Sequence, residues 1–415
     1  MRNSILTRNI GILSISAVKA FGAALNVIIT FFVVRHSSQT AAGSFLFALS
    51  SIYIFSYVTR LGSDNFIVSK LSGKWQDDER RTASSLYSSL LFFNGICTCA
   101  IAVIAWLALR TVNWLDIGLA CVAIFFFSVG QINSRILQAQ SKFLYSAFLM
   151  SVSAPLFFIA AYAVVGISNG WNIGGTVLIA SYALGCAASS ALGFRRDLLV
   201  PVKPAAVLEL CRSISPFFQT GFIAICILWG GQFWAGAILP MADIADIAAS
   251  QRISMPINLL LVAASIVLSP QIAEYHRTSD TRAIRTLMFE AGWAMVLFGA
   301  PVFIATLFFL DSIASSFNVT NKWLIAIFCF AQLANASTGN SIQLLNMTGN
   351  QRLARKSVTI GGAIFLLGMS IASALPSQLS VSLAIATALV AQNFAAVVFS
   401  HKIFGIVPLW RNECK

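Results

Sequence analysis

Lys19 places a cation inside the apolar run Ile10–Val34. In a helix rising 1.5 Å per residue it lies about 13 Å into that run. A charge at such depth costs several kcal/mol unless it meets a partner or water. Ser16, Lys19, Ala23, Asn26 and Thr30 recur at helical spacing, so they share one face and predict a polar stripe lining a cavity. The competing reading has Lys19 snorkelling to the headgroups. Three arginines are similarly placed. Arg60 precedes Asp64 at i, i+4, Arg252 follows Asp243 and Asp246, and Arg35 ends the first run. A helix-face pair explains Arg60 structurally, and an interfacial ion pair does so for Arg252. Together, Lys19, Arg60, Arg252 and Arg35 could bind an anionic group at successive depths. Arginine suits phosphate because its planar fork donates two parallel hydrogen bonds.

Amides form the second pattern. Gln332, Asn335, Gly339, Gln343 and Asn346 trace one helical face, and Ser128, Gln131, Arg135 and Gln138 trace a similar one. Amides inside apolar helices need partners, which are either other helices or a polar ligand such as sugar hydroxyls. The remaining chemistry is excluded by what is missing. The chain has no Gly-x-Ser-x-Gly, no Gly-x-x-x-x-Gly-Lys-Ser/Thr and no His-Glu-x-x-His. None of the eight cysteines makes a Cys-x-x-Cys pair, and His36, His276 and His401 lie far apart, so no metal ligand set is expected. No cofactor is expected; a coupling H+ or Na+ is the one inorganic partner left open.

The elements that must position these residues are apolar runs. They read as Ile10–Val34, Gly43–Leu61, Thr82–Leu109, Leu115–Ser134, Phe143–Gly166, Ile173–Gly193, Ser213–Pro240, Ala249–Ala273, Met288–Leu310, Trp323–Leu345, Val358–Leu375 and Ser380–Ser400. Each approaches or exceeds the roughly 20 helical residues that cross a bilayer core, which predicts twelve spans. Of the 27 Lys and Arg, 21 fall at the termini and in every second gap, three (Arg35, Arg110, Lys322) in the alternate gaps, and three within or at the edge of spans. By the positive-inside rule both termini are then cytoplasmic. Trp114, Trp171 and Trp323 at one boundary, and Trp75 and Trp410 at the other, read as interfacial anchors.

With 58% apolar and 10% charged residues, no stretch between runs can hold a soluble domain. The net charge of +13 is dispersed over short loops as a topology signal, so nucleic acid is not expected as a partner. The first run is too long for a signal h-region and carries Lys19, so a cleaved signal peptide is not expected. The polar stretch Phe194–Arg212 separates two sets of six runs, which predicts six-helix bundles at 1–194 and 213–415 joined by a cytoplasmic linker at 195–212. The fourth run ends Leu137-Gln-Ala-Gln-Ser-Lys and the tenth ends Leu345-Asn-Met-Thr-Gly-Asn, 208 positions on, as a duplication requires. Two such halves enter the membrane in the same sense, with a central cavity expected between them. Pro155, Pro216, Pro256, Pro270 and Pro301 are candidate bends.

Several stretches resemble polysaccharide-type flippases: Ala248-Ala-Ser-Gln-Arg-Ile-Ser-Met-Pro-Ile-Asn continuing to Ser269-Pro-Gln-Ile-Ala, Gly349-Asn-Gln-Arg-Leu-Ala-Arg-Lys-Ser, Arg35–Gly43, Arg60-Leu-Gly-Ser-Asp-Asn-Phe and the Leu137-Gln-Ala-Gln loop. The family is the multidrug/oligosaccharidyl-lipid/polysaccharide (MOP) exporter superfamily, and the chain is similar within it to Wzx-type O-antigen flippases. The resemblance implies an all-α integral membrane protein with the MATE/MOP-like fold, about twelve transmembrane helices in two bundles around a central cavity. It implies a substrate of undecaprenyl-diphosphate carrying an oligosaccharide repeat unit, moved from the cytoplasmic to the periplasmic leaflet of the bacterial inner membrane. Lys19, Arg60, Arg252 and Arg35 are the cavity-cation candidates, and Asn26, Gln131, Gln332, Asn335 and Gln343 the polar lining. Membrane lipids, a polysaccharide polymerase and a chain-length regulator are the accompanying partners. A cation-coupled multidrug or metabolite exporter of the same superfamily is the alternative. A membrane-embedded O-antigen polymerase or ligase fits less well, because the gaps on the external side are too short for a catalytic loop domain.

Overall fold

In a computed structural model the described residues are 2–71, 77–108, 113–169 and 173–410. Lys74, Trp75, Arg110, Trp171, Arg411, Cys414 and Lys415 lie outside them. The described chain is helical apart from one isolated bridge between Val407 and Trp410. It forms compact units, Ala17–Ile225 and Met1–Ser16 with Cys226–Lys415.

In the first unit the apolar runs become α1 (Arg2–His36, of which the part from Ala17 belongs to this unit), α2 (Gln39–Thr59), α4 (Asp77–Ala108), α5 (Trp114–Ala139), the pair α6 (Phe143–Ser151) and α7 (Ser153–Asn169), and α8 (Gly175–Gly193), with a short α3 (Asp64–Leu71) after α2. The expected linker leaves α8 at Phe194, makes a 3-10 turn at Arg196–Leu198 and enters α9 (Pro204–Ile225). It packs on this unit. Leu198 joins a buried cluster with Ile67, Leu71, Tyr87, Ile136, Leu210 and Ile214. Ser88 pins its backbone, accepting from Val200 N–H at 2.9 Å and donating to the Leu198 carbonyl at 3.3 Å.

In the second unit a π-helical turn, Cys226–Gly230, leads into α10 (Gly231–Ile238). Then come α11 (Met241–Arg277), α12 (Thr281–Phe308), a short α13 (Leu310–Ser316), α14 (Trp323–Ser337), α15 (Ser341–Met347), α16 (Gln351–Ala374) and α17 (Gln378–Phe404). Pro301 lies inside α12, which continues through it.

Among the described residues nine helices are long and apolar enough to cross a membrane, or ten if α6 and α7, bent by 43°, form one span. Two of the twelve expected runs, the eighth and the tenth, are not among these spans. The tenth is divided by the Thr338–Asn340 turn into α14 and α15, of 15 and 7 residues, each too short alone. The eighth lies within the 37-residue α11. Leu297, Ile304 and Phe308 on α12, and Leu366, Leu367 and Ile371 on α16, are exposed. Apolar bands of this kind belong against lipid rather than water. Trp114, Trp323 and Trp410 are also exposed, as interfacial anchoring requires.

The repeat seen in sequence has a backbone counterpart. After α5, Ser141 takes φ +63° and Lys142 N–H bonds the Leu137 carbonyl; after α15, Gly349 takes φ +76° and Asn350 N–H bonds the Leu345 carbonyl, both bonds at 2.9 Å. Each is the six-to-one bond of a Schellman helix end, offset by the same 208 positions.

Candidate functional site

The sequence puts Arg60 and Asp64 one helical turn apart, but the helix does not continue between them. α2 stops at Thr59 in a Schellman turn: Gly62 N–H bonds the Tyr57 carbonyl and Leu61 N–H bonds the Val58 carbonyl, both at 2.9 Å. Leu61 and Gly62 both sit at φ +56°. This turn presents Arg60 and Asp64 to α5. Arg60 Nη2–H donates to Asp64 Oδ2 at 3.3 Å, and Arg135 Nε–H, from α5, donates to Asp64 Oδ1 at 3.3 Å. Arg60 also donates to Ser56 Oγ at 3.2 Å, and Arg135 to Gln138 Oε1 at 2.8 Å. The guanidinium of Arg60 lies 5.3 Å from the Tyr57 ring centre, and that ring stacks on Phe218 of α9. Arg60 is 6% exposed, and its Nε is buried without a hydrogen-bond partner.

One carboxylate thus serves two guanidinium groups. Burial pushes the Asp64 carboxyl up, but Arg60 and Arg135 outweigh burial and hold it below the usual carboxylate range. Lys19, half-buried on α1, lies close enough for the Arg135 charge to act on it. Among the described residues no carboxylate pairs with Lys19. Arg60 and Arg135 against Asp64 leave a formal excess of one positive charge in a largely buried place, and the Arg135 charge also reaches Lys19 on α1. Buried like charges favour an anion with several acceptor oxygens.

The turn makes a prediction. A Cβ on Gly62 would lie 2.3 Å from Tyr57 Oη, in a backbone conformation that L side chains resist. Gly62→Ala is expected to cost about 1–2 kcal/mol for the left-handed backbone and about 1–3 kcal/mol for overpacking. Adding Tyr57→Phe, which removes the hydroxyl, should return part of the steric component. Thermal unfolding of the purified variants checks it; a native transition for Gly62→Ala would show that the turn yields freely.

The other expected site residues separate. Arg35 is exposed at the far end of α1 from Lys19, its Cζ 6.0 Å from the Phe31 ring centre. At 1.5 Å per residue the two backbones are about 24 Å apart, so Arg35 is not part of the cluster. Asn26 donates to the Gly22 carbonyl of its own helix at 2.9 Å. Gln131 donates to the Met150 carbonyl at 3.2 Å, which the break between α6 and α7 leaves without a full helical partner.

Arg252, Gln332, Asn335 and Gln343 belong to the second unit. Arg252 is 2% exposed with its Cζ 5.8 Å from the Trp229 ring centre, beside the π-helical turn. Its neighbour Gln251 donates to the Leu228 carbonyl within that turn at 2.7 Å and accepts from Gln232 at 2.5 Å. A π-turn offsets the local ladder and frequently marks functional sites; here a buried amide pair satisfies it. Asn335 donates to Gln332 at 3.5 Å, and Gln343 donates to Ser269 Oγ at 2.7 Å.

Sequence reasoning did not rank Arg135, Gln232 or Gln251 as site residues. Arg135 was visible only as one member of a polar stripe, because its partner Asp64 lies 71 positions away. Asp246 was also unranked. It is 1% exposed, its Oδ2 accepts from Thr320 N–H at 3.2 Å, from the Thr320 hydroxyl and from Gln378 at 3.2 Å, and its Oδ1 is buried without a hydrogen-bond partner. It precedes the apolar run of α11. Burial pushes its carboxyl up against those hydrogen bonds, and Asp243 pushes the same way as burial. A carboxyl raised in the fold contributes stability that is complete below its unfolded pKa and is lost as pH rises through its folded value. Asp246→Asn, which keeps an acceptor and removes the charge, is therefore expected to gain thermal stability over the native protein at pH 8 and to lose that advantage toward pH 4. An unfolding series across that range checks it; an equal deficit at every pH would mean the carboxylate itself is required.

No protein-family model and no curated protein matches the chain. Solved structures do. A multidrug resistance MATE family transporter of the MOP superfamily, in an inward-facing conformation, superposes with TM-score 0.72 at 11% identity, over 92% of this chain and 94% of that one. The lipid II flippase MurJ, in an inward closed conformation, gives 0.71 at 12% identity, over 94% and 87%. A MOP superfamily transporter from Pyrococcus furiosus, described as having a binding pocket of reverse polarity that suggests a different function, gives 0.62 at 13% identity, over 95% of each chain. These neighbours are transporters rather than enzymes. With its polar clusters held in long apolar helices, the chain is a multi-pass membrane protein with the fold shared by MATE transporters and MurJ.

Proposed function

We propose that the protein is a flippase for an undecaprenyl-diphosphate-linked oligosaccharide, an O-antigen or related polysaccharide repeat unit. It carries the substrate by alternating access from the cytoplasmic to the periplasmic leaflet of the bacterial inner membrane, with both its termini cytoplasmic. The observation that carries this reading is the buried pair of guanidinium groups, Arg60 and Arg135, on a single Asp64, with Lys19 within reach of the Arg135 charge. A cation excess within a membrane-embedded bundle is disfavoured without an anionic ligand, and a diphosphate supplies both the charge and acceptors for two guanidinium forks. The fold shared with a lipid II flippase supports a lipid-linked substrate. The buried amides Gln332 and Asn335, with Gln343 and Asn26, are the candidate contacts for sugar hydroxyls. Arg252 is a second cation for the substrate in the other unit. A polymerase and chain-length regulator acting on the product are the proposed partners.

The second reading, a cation-coupled multidrug or metabolite exporter, is favoured by Asp246, a buried carboxyl whose Oδ1 has no hydrogen-bond partner. A deletion strain separates the two. Under the flippase reading it accumulates complete undecaprenyl-diphosphate repeat units by mass spectrometry and loses surface polysaccharide, and the intact gene restores both. Normal lipid intermediates with normal surface polymer would reject the flippase and favour export of a small molecule.

A further inference from the structure

The first unit carries a second basic site, lined by residues other than those of the Asp64 cluster, where α4 meets the strap between α8 and α9. A cavity of about 730 Å³ opens there, lined by the cations Arg80, Arg81 and Lys203 and the hydroxyls of Ser84 and Ser85. Val200 and Pro201 also line it. Among the described residues the lining holds no acid. Arg80 leans on Asp197 at 3.4 Å, and Asp197 is already held by Arg195 through two 2.9 Å bonds. Arg81 and Lys203 enter no ion pair among the described residues.

The site is built rather than incidental. Leu198 is fully buried, Ser88 fixes the strap backbone on both sides of Leu199, and Arg195 donates to Gln140, the residue that follows α5, at 2.9 Å. The strap that carries Lys203 into the lining is thereby fixed up to Val200. Its depth is also set. In sequence the apolar run carried by α4 begins at Thr82, next to Arg81, so the cavity lies at the polar end of that run, where a span meets lipid headgroups. Leu199 and Val200 on the strap are exposed beside it, at 47% and 40%, offering an apolar surface to the acyl chains below a bound headgroup.

We infer that this cavity binds the phosphate of an anionic membrane phospholipid, with Arg81 and Lys203 contacting the phosphate oxygens and Ser84 or Ser85 donating to them. A guanidinium, an ammonium and a hydroxyl at headgroup depth match a phosphodiester that carries net charge. The ligand is a resident lipid, so the inference holds whatever the protein transports.

The test is native mass spectrometry of the full-length protein with phosphatidylglycerol, phosphatidylcholine or inorganic phosphate added. Phosphatidylglycerol is expected to be retained over phosphatidylcholine. The double variant Arg81→Gln, Lys203→Gln is expected to weaken its retention at least about tenfold. Arg355→Gln, Lys356→Gln removes the same charge from exposed positions on α16 and is expected to leave retention unchanged. Both replaced pairs are exposed, and thermal unfolding should confirm that the variants fold. Equal loss from both double variants would reduce the effect to overall charge and overturn the site. No loss from Arg81→Gln, Lys203→Gln would do the same. Displacement of phosphatidylglycerol by millimolar inorganic phosphate would assign the cavity to a soluble anion and overturn the lipid.

Discussion

Asp64→Ala is expected to destabilise the protein by about 3–5 kcal/mol, the scale for leaving buried charges without their counter-ion. Asp64 is the carboxylate for both Arg60 and Arg135, and the three side chains are 8–17% exposed, so water cannot replace it. Removing it leaves two guanidinium groups repelling one another, with Lys19 adding to the repulsion. The effect should be non-additive. Arg135→Met on the Asp64→Ala background should recover part of the loss, because the second substitution then removes an uncompensated charge. Denaturant unfolding of the four proteins in the cycle measures this. A cost below about 1 kcal/mol for Asp64→Ala, the scale of a solvated surface pair, would show that the cluster is hydrated. The pH dependence has a fixed sign. The folded carboxyl lies below its unfolded value, so its contribution is complete above the ordinary carboxylate pKa and is lost as pH falls through the depressed folded value.

Lys19→Ala is expected to behave in the opposite way, lowering transport while sparing the fold. Lys19 is half-buried and meets the like charge of Arg135, so its removal relieves desolvation and repulsion. Thermal stability should stay level or rise. Transport should drop about 10- to 100-fold, the scale of one lost charge-assisted hydrogen bond of about 1.5–3 kcal/mol, and Lys19→Arg should retain most activity. Restoration of surface polymer in a deletion strain, read beside thermal unfolding of the same variants, separates the two effects. Full complementation by Lys19→Ala would remove it from the substrate path and leave snorkelling as its role.

These residues also show how far a linear reading reaches. The apolar runs became helices because a bilayer allows few other ways to satisfy a backbone, and run length and hydropathy are local quantities. The repeat was legible for a similar reason. Leu137 and Leu345 end their helices through the same short-range bond, which a few neighbouring residues encode. Lys19 stood out because a charge in an apolar run is anomalous wherever it points. Arg60 and Asp64 were legible as a pair, although as a helical i, i+4 pair rather than two sides of a Schellman turn.

Contacts between helices were not legible. Arg135 meets Asp64 only because α5 lies against the turn after α2 and the start of α3. Gln251 and Gln232 are ordinary amides in sequence, and only the π-turn at Cys226–Gly230 gives them a carbonyl to satisfy. The strap at Arg196–Leu198 looked like a free linker because its polar residues are visible and the pocket that receives Leu198 is not. The sequence by itself determined that this is a multi-helix membrane protein with a cation at depth, since both follow from hydropathy and charge along one chain. Only the tertiary structure decided which cations share a carboxylate and which stand apart, because an ion pair is set by the distance between helices packed from remote parts of the chain.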